Sequence, residues 1–368
     1  PSSEVEMPDD ELAFLREEIG KVDKQIIELA AQRSDLANRL GSLKQQSGAP
    51  IRDYAHERVV VERARNIATS TGLSPDLAES LILELIRSSL EVQERGRVEA
   101  SSAGTGRNAL VIGGQGQMGR WFVRFLRSQG FDVVIADPDG GDVTDWRDDD
   151  RPFDIYVIAT PIPVASEILD QMSQSPPEGM VFDIGSLKTP LREGLNRLVA
   201  AGGKVASIHP MFGPETSLLS GRHVAVVDVG VSEANEGARS LFAATMVAVV
   251  EMDLDSHDRL IAYILGLSHA LNIAFFTALA ESGENASRLA DLSSTTFDKQ
   301  LAVASQVARE NPNLYFEIQH LNEYGQESLN ALADAVDRLR SVVAGGDLAG
   351  FAEMMENGSR YLDETGLG

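Results

Sequence analysis

Three glycines stand between a short apolar stretch and an amphipathic one. Gly114, Gly116 and Gly119 have the spacing G-x-G-x-x-G within "VIGGQGQMGR". The preceding "NALVIG" has the pattern of a buried strand, and the following "RWFVRFLRSQG" has that of an amphipathic helix. Glycines in such a turn let the backbone approach a pyrophosphate, and the N-terminus of the next helix attracts negative charge. The motif therefore predicts a site for a dinucleotide.

A carboxylate follows at the distance that such a turn requires. "FDVVIAD" has the pattern of a second strand and ends in Asp137, 21 residues after Gly116. A carboxylate there accepts hydrogen bonds from the adenosine ribose and repels the 2′-phosphate of NADP. We therefore predict NAD as the cofactor, although Arg120 argues for NADP. The residues predicted to contact the cofactor are Gly114, Gly116, Gln117, Met118, Gly119, Asp137, Thr160 and Pro161.

A lone histidine ends the apolar segment of "SIHPMFGPE". His209 stands directly before Pro210 and the pair Gly213-Pro214, and an ordinary strand end closed by turn residues is one interpretation. The other is catalytic, because a neutral imidazole with a pKa of about 6.5 can accept a hydroxyl proton while a hydride leaves the same carbon. The segments after "VIAT", "FDIGS" and "SIHP" follow predicted strands, at the end where open α/β sheets bind ligands. We therefore predict that His209 is the base of an alcohol oxidation.

The elements that carry these residues alternate between strands and helices. Further strands are predicted at "DIYVIAT", "GMVFDIGS", "KVASIHP", "HVAVVDVG" and "VAVVEMD". The alternation predicts an α/β Rossmann-type, doubly wound domain over residues 108–254. From Asp255 the pattern is helical, which predicts an all-α C-terminal domain for substrate binding and dimerisation over residues 255–368. Its apolar segment is interrupted by Ser268, His269 and Asn272, and this favours a core or dimer helix over a membrane span.

The first 98 residues carry helix patterns and no strand patterns. We predict a helix over about residues 10–45, with Asp9 or Asp10 at its start, a second over Ile51 to Ser70, and a third opened by Ser74-Pro75. The apolar stripe of the first helix consists of Leu12, Leu15, Ile19, Val22, Ile26, Leu29, Leu36, Leu40 and Leu43. A helix of roughly 50 Å cannot be buried by so short a chain, so we expect the stripe to pack against a second copy. Residues 99–107, "EASSAGTGR", are small and polar and predict a linker.

Polar residues interrupt the helical stripes. Arg33 stands between Leu29 and Leu36, and on the third helix the steps of four from Leu81 lead to Ser89 and Gln93. A buried guanidinium costs several kcal/mol unless an anion meets it, so the pattern predicts an anion site. Surface residues on a loosely defined stripe are the alternative.

The composition limits the classes of function. The 368 residues are 43% hydrophobic and carry a formal net charge of −24, which argues against nucleic acid as a partner. The chain has no cysteine, so disulfides, thiolate metal sites and thiol nucleophiles are excluded, and we expect no metal. The start of the chain has no export pattern, so we expect a cytoplasmic protein without a membrane partner.

Four motifs together resemble prephenate dehydrogenase: "VIGGQGQMGR", "DIGSLKTPL", "HPMFGPE" and "DSHDRLIAYILGLSHAL". The first 97 residues resemble the all-helical class of chorismate mutase. The resemblance implies a homodimer whose mutase site has no nucleophile and works by positioned donors. Carried over position by position, it implies that Arg16 of the partner copy and Arg33 bind carboxylates and that Lys44 and Gln93 donate to the ether oxygen. It also implies that Asp53 and Glu57 hold the hydroxyl end and that Ser89 assists a carboxylate; His56 departs from the arginine that is common in the family.

In the second site the resemblance implies that His209 takes the 4-hydroxyl proton of prephenate while hydride passes to NAD and carbon dioxide leaves. Ser186, Glu215 and His269 fall on positions that line this site. The family arginine that binds a substrate carboxylate aligns with Asp298, which cannot do so. Lys299, Arg288 or a cation of the partner copy would replace it, and Lys299 is our prediction because it adjoins the family position.

The sequence thus predicts a bifunctional enzyme that converts chorismate to prephenate and then to 4-hydroxyphenylpyruvate, with tyrosine as a candidate feedback inhibitor. One alternative is an arogenate dehydrogenase whose N-terminal helices serve only dimerisation or regulation. Seven polar matches to the mutase site argue against that interpretation. A non-catalytic NAD sensor is a further alternative, and it would not need His209.

Overall fold

A computed structural model describes residues 9–47 and 50–364. Its contacts divide the chain into two compact units. The first contains the chain up to Ile155 together with Pro210–Val224 and Glu236–Val250. The second contains Tyr156–His209, Ala225–Asn235 and the chain from Glu251 onward.

Three helices open the first unit: α1 (Asp9–Gln46), α2 (Tyr54–Thr71) and α3 (Pro75–Ser101). Helix α1 and the start of α3 at Ser74-Pro75 agree with the sequence pattern. Helix α2 begins three residues later than predicted because the side chain of Asp53 accepts a hydrogen bond from the backbone N–H of His56 and caps the helix there. Helix α3 continues to Ser101, so the first residues of the predicted linker are helical.

The apolar stripe of α1 is not covered within one chain. Leu15, Ile19, Leu36 and Leu43 are 48%, 60%, 61% and 62% exposed. With 38 residues the helix is about 57 Å long. From Leu15 to Leu43 the stripe is therefore available to another molecule.

All seven predicted strands are present. They are β1 (Asn108–Ile112), β2 (Asp132–Ala136), β3 (Ile155–Ile158), β4 (Met180–Asp183), β5 (Lys204–Pro210), β6 (His223–Val227) and β7 (Ala248–Met252). Their order in the sheet is β2-β1-β3-β4-β5-β6-β7. The pair β1–β2 is parallel with Asn108 opposite Asp132, and the pair β4–β5 is parallel with Met180 opposite Lys204. The central sheet is therefore the one that the alternating pattern predicted.

The helices between the strands are α4 (Gln117–Ser128), α5 (Ile162–Gln174), α6 (Arg192–Ala200) and α7 (Ser232–Phe242). In the first unit the apolar face of α4 carries Trp121 and Phe125, whose rings stack 4.8 Å apart, and Phe125 also stacks on Phe242 at 5.2 Å. Each of these rings is at least nine-tenths buried. Aromatic packing thus fixes the helix that follows the glycine turn.

Between β7 and residue 364, where the description ends, the structure has seven helices: α8 (Leu254–Ile261), α9 (Ser268–Glu281), α10 (Ala286–Asp291), α11 (Thr295–Arg309), α12 (Pro312–His320), α13 (Gly325–Gly345) and α14 (Leu348–Glu364). A π-helical turn, Ala262–Leu267, joins α8 to α9. The resulting stretch Leu254–Glu281 is long and apolar enough to cross a membrane by length and composition alone. A core or dimer helix passes the same test, and Leu260, Ile264 and Leu271 are each about half exposed in the single chain.

Candidate active sites

Helices α1 and α3 bring together Arg33 and Ser89. The guanidinium Nη1 of Arg33 donates to the carbonyl oxygen of Leu85 at 3.0 Å and to the hydroxyl of Ser89 at 3.3 Å. Arg33 is half-buried, and this desolvation lowers its pKa. It has no carboxylate partner in the part of the chain that the structure describes. The charge is therefore held in place and open to an anionic ligand.

Two further predicted donors lie at the same face of α1: Gln93, which reaches it from α3, and Lys44, which is part of it. The amide of Gln93 donates to the carbonyl oxygen of Ala37 at 3.0 Å, and a Cβ at Gly41 would come within 2.6 Å of the Gln93 side chain. Lys44 donates to the carbonyl oxygen of Ile51 at 3.1 Å. Arg33, Ala37, Gly41 and Lys44 follow steps of four, four and three, so they share one face of α1. The structure thus gathers a guanidinium, an ammonium, an amide and a hydroxyl between α1 and α3.

The carboxylate of Glu57 is held by a residue that the sequence interpretation did not single out. Arg52 donates to Glu57 from Nε at 3.0 Å and from Nη2 at 2.9 Å, and its Nη1 donates to Ser220 at 2.8 Å. The hydrogen bond to Glu57 raises the pKa of Arg52 despite partial burial. The neighbouring Asp53 is engaged as the cap of α2. Arg16 is exposed on α1, roughly 26 Å along the helix from Arg33.

The glycine turn after β1 has the close backbone approaches that the motif predicts. A Cβ on Gly119 would lie 2.1 Å from the carbonyl oxygen of Gly113, and one on Gly114 would lie 2.7 Å from Ile135. Helix α4 begins at Gln117, and its N-cap residue Gly116 offers no side chain to the first turn. The first N–H groups of this twelve-residue helix, those of Gln117 and Met118 included, are therefore free of a side-chain cap and available to a pyrophosphate.

Asp137 lies directly after β2 and is 8% exposed. Its two oxygens accept the backbone N–H groups of Gln115 and Asp139, both at 2.9 Å. Each carboxylate oxygen keeps a lone pair that a ribose hydroxyl can use. Arg120 donates to the side-chain oxygen of Gln115 at 3.2 Å, so its guanidinium already has a partner. The turn and its carboxylate therefore fit the adenosine and pyrophosphate of NAD.

Several buried polar atoms of the second unit have no hydrogen-bond partner among the described residues. Among them are the hydroxyls of Thr160, Ser186 and Ser207 and Oδ2 of Asp183. Thr160 follows β3, Ser186 follows β4, and Ser207 lies within β5. Pro161, which follows Thr160, is the N-cap of α5. Because an unsatisfied buried polar atom is costly, the carboxyl ends of these strands have the character of a ligand site.

His209, the next-to-last residue of β5, is 6% exposed. Its Nδ1 lies 3.0 Å from Nε2 of His257, and Nδ1 of His257 lies 2.7 Å from Oδ1 of Asp258. Burial, followed by the proximity of His257 and Lys188, holds the pKa of His209 well below 6.5. The imidazole is therefore neutral at pH 7 and able to accept a proton.

A fully buried ammonium adjoins this histidine. Lys188 donates from Nζ to Asp183 at 2.7 Å and to the carbonyl oxygen of Ile208 at 2.9 Å. Desolvation lowers its pKa, against the attraction of Asp183. Lys188 and His257 lie inside the motifs "DIGSLKTPL" and "DSHDRLIAYILGLSHAL", but nothing in the sequence pattern alone marked them as neighbours of His209.

The remaining predicted residues of the helical domain are His269, Lys299 and Arg288. His269 stacks on Tyr315 with ring centroids 4.1 Å apart, and its buried Nδ1 has no partner. Burial lowers the pKa of His269 to about 4. Lys299 and Arg288 are exposed, and neither has an ion-pair partner among the described residues.

Two carboxylates complete the predicted positions. Asp298 accepts a short hydrogen bond from the hydroxyl of Ser293. Glu215 is exposed in the first unit, with its carboxylate folded over Gly213, where a Cβ would meet it at 2.5 Å. Within residues 9–47 and 50–364, no group of three or more histidine, aspartate or glutamate side chains could hold a metal ion.

Three stretches of the chain match models of known protein families. The model of chorismate mutase type II matches residues 15–94. The models of the nucleotide-binding and dimerization domains of prephenate dehydrogenase match residues 124–235 and 253–357. Together they cover the helical, α/β and C-terminal helical regions in the predicted order.

Individual proteins show the same likeness. The T-protein of Enterobacter agglomerans is 28% identical over 311 residues, which cover 84% of this chain and 81% of that protein. The 4-amino-4-deoxyprephenate dehydrogenase of Streptomyces pristinaespiralis is 30% identical over 273 residues, which cover 70% of this chain and 92% of that protein. A prephenate dehydrogenase from A. aeolicus, solved with hydroxyphenyl propionate and NAD+, is 19% identical with a TM-score of 0.58 and covers 70% of this chain and 98% of that chain. At that identity the structural likeness supports the fold alone.

Proposed function

Because the chain belongs to the prephenate dehydrogenase family and carries a type II chorismate mutase domain, we propose that it catalyses two consecutive steps of tyrosine biosynthesis. The first rearranges chorismate to prephenate. The second is the NAD-dependent oxidative decarboxylation of prephenate to 4-hydroxyphenylpyruvate. The observation that carries the second step is a buried, neutral His209 at the end of β5.

The mutase reaction needs no nucleophile and no proton transfer, so positioned donors must supply the rate. We assign carboxylate binding to Arg33 and Ser89, which already share a hydrogen bond. Lys44 and Gln93 donate to the ether oxygen, where negative charge develops. Glu57, fixed by Arg52, and Asp53 hold the hydroxyl end. Arg16 completes the site of a partner copy, which is supported by its exposed position far along α1 from Arg33.

In the dehydrogenase site, NAD supplies the acceptor of the hydride when it is bound. The turn of Gly114, Gly116, Gln117, Met118 and Gly119 holds its pyrophosphate, Asp137 holds its ribose, and Thr160 and Pro161 contact it. His209 accepts the proton of the 4-hydroxyl group as the hydride leaves C4. A neutral imidazole shielded from water is suited to this transfer, which general bases accelerate by about 10²–10⁴-fold.

The ring substrate carries two carboxylates that also need partners. We assign Ser186, Glu215 and His269 to substrate contacts, and Lys299 to the carboxylate that the family arginine binds. The unpartnered hydroxyl of Ser186 and Nδ1 of His269 support their part of this assignment. Arogenate is the alternative substrate, because the cation at position 298 is missing.

We propose a homodimer, with the copies in contact along the apolar stripe of α1 and through the C-terminal helices. The exposed leucines and isoleucines of α1 support the first contact, and the match to a dimerization domain supports the second. The proposed domains are residues 1–98, 108–254 and 255–368, with 99–107 as the linker. We further propose a cytoplasmic enzyme and tyrosine as a candidate inhibitor.

A paired assay tests the two activities. Chorismate loss is followed first, and NADH formation is then measured with prephenate and with arogenate. His209→Asn should lower the dehydrogenase kcat by roughly 10²–10⁴-fold and spare the mutase. Arg33→Ala should abolish chorismate turnover and spare NADH formation from added prephenate. Equal loss of both activities in Arg33→Ala would instead favour a purely structural role for the N-terminal helices.

A further inference from the structure

His209 is the first of three buried side chains joined end to end. Its Nδ1 meets Nε2 of His257 at 3.0 Å, and Nδ1 of His257 meets Oδ1 of Asp258 at 2.7 Å. His257 and Asp258 are 1% and 0% exposed. The assignment of His209 as a base does not use either residue, so their role in the second unit is open.

The donors around Asp258 fix its protonation state. Its oxygens accept the backbone N–H groups of Lys188 at 2.9 Å and Thr189 at 2.6 Å, and Thr189 Oγ1 also donates to it. Burial raises the pKa of Asp258, but the hydrogen bonds from His257 and Thr189 outweigh it and the pKa is lowered. Asp258 is therefore an ionised carboxylate that can only accept hydrogen bonds.

An ionised Asp258 determines the position of every proton in the row. Nδ1 of His257 must donate to the carboxylate, and burial lowers the pKa of His257, so its Nε2 is unprotonated. An unprotonated Nε2 can only accept, so Nδ1 of His209 must carry a proton and donate it. In a neutral imidazole the other nitrogen, Nε2 of His209, then holds a free lone pair.

We propose that His257 and Asp258 are positioning residues that set the tautomer of His209, leaving Nε2 as the atom that takes the substrate proton. This proposal rests on the proposed dehydrogenase function. When Nε2 takes the proton, the O–H bond of the substrate breaks and its electron pair forms the carbonyl, while the hydride, with the electron pair of the C4–H bond, would pass to bound NAD. The imidazolium that results keeps its Nδ1–H bond to His257, whose partner Asp258 opposes the new positive charge.

The other charged groups facing the row are Lys188 and Asp183, which form a buried ion pair next to it. Lys188 touches the carbonyl oxygen of Ile208, the residue before His209. Its positive charge disfavours a second proton on either imidazole in the resting enzyme. Burial is the main reason that both rings stay neutral before the reaction, and the charge of Lys188 adds to it, while Asp183 partly offsets the effect of Lys188 on His257.

Three variants separate the setting of the tautomer from simple packing. His257→Leu removes the acceptor, and we expect the kcat of prephenate oxidation to fall by about 100-fold or more. The kcat of His257→Gln should be about tenfold higher than that of His257→Leu. In the glutamine variant the amide NH2 donates to Asp258, which turns the amide oxygen toward His209 as an acceptor. Asp258→Asn should lower kcat by as much as roughly 10⁴-fold, the cost of a wrong tautomer in a comparable base. In that variant the asparagine oxygen accepts the N–H groups of Lys188 and Thr189, its NH2 donates to His257, and the proton order in the row is inverted.

The KM for prephenate, the Kd for NAD and the mutase kcat should stay within about threefold in all three variants, since none of them touches those sites. His209→Asn serves as the reference: if it keeps full activity, the proposed function itself is wrong. If His209→Asn is inactive while His257→Leu and Asp258→Asn keep kcat within about threefold, the function stands and the positioning role is wrong. Equal kcat for His257→Leu and His257→Gln, or loss of NAD binding in every variant, would also overturn it, because the row would then serve packing or folding.

Discussion

The buried pair of Lys188 and Asp183 gives the sharpest prediction about stability. Both side chains are fully buried, and the ammonium donates to Asp183 and to the carbonyl oxygen of Ile208. Lys188→Met has a similar length but no charge, so it leaves the carboxylate of Asp183 in the interior with its Oδ2 still unpartnered. Removal of one partner from a buried pair costs about 3–5 kcal/mol. At about 2–4 °C per kcal/mol, the melting temperature should fall by roughly 6–20 °C.

Scanning calorimetry on the single and double variants checks this reasoning. Adding Asp183→Asn to Lys188→Met removes the stranded charge and keeps an acceptor for the N–H of Gly185, which Asp183 binds at 3.1 Å. The double variant should therefore melt well above Lys188→Met. A drop of less than about 2 °C for Lys188→Met, or a double variant no more stable than the single one, would refute the argument from uncompensated charge.

Three further predictions concern separate parts of the molecule. Glu94→Ala leaves the buried N–H of Leu219 and the partly buried N–H of Met246 without their acceptor, so the unfolding free energy measured in urea should fall by about 2–6 kcal/mol. A loss below about 1 kcal/mol would contradict this. The kcat/KM of the dehydrogenase should be flat as pH falls to 6.5, since the pKa of His209 lies well below 6.5 and the base loses its lone pair only below that pKa; an acid limb above pH 6.5 would be the opposite result. Lys299→Met should raise the KM for prephenate about tenfold and leave the KM for NAD unchanged, because one charge-assisted hydrogen bond to a substrate carboxylate is lost. If only Arg288→Met has this effect, Arg288 rather than Lys299 binds that carboxylate.

The strands and the first helices could be predicted because their signals are local. The seven apolar segments and the stripe of α1 each repeat with the period of the element they form. The start of α2 could not be placed from the stripe, because it depends on one side-chain bond from Asp53 to the N–H of His56. Periodicity contains no information about which of several polar residues caps a helix.

Contacts across long stretches of sequence explain what was missed in the sites. His257 is 48 residues from His209, and Asp258 is 70 residues from Lys188, so no spacing rule connects them. In the sequence, Lys188, His257 and Asp258 each resemble an ordinary polar residue near an apolar helix. Only the folding of β4, β5 and α8 brings them together, and their chemistry follows from burial rather than from residue type.

Two consecutive residues of helix α3 contact different parts of the first unit, and the first of them belongs to the proposed mutase site. Gln93 reaches the carbonyl oxygen of Ala37 on α1, and Glu94, which points about 100° away around the helix, accepts the N–H of Leu219 at 2.7 Å. Glu94 is 3% exposed, and burial raises its pKa against the two N–H groups that it accepts. Burial of a carboxylate costs free energy unless hydrogen bonds compensate it. The two bonds from backbone N–H groups supply this compensation, and they hold α3 to the segment around Leu219. The C-terminal part of α3 is therefore anchored before the glycine-containing linker begins. The linker also bonds to a neighbouring segment, since the N–H of Gly104 donates to the carbonyl oxygen of Gln129 at 2.9 Å. The composition of residues 99–107 predicts a linker, and the buried Glu94 fixes the helix that leads into it.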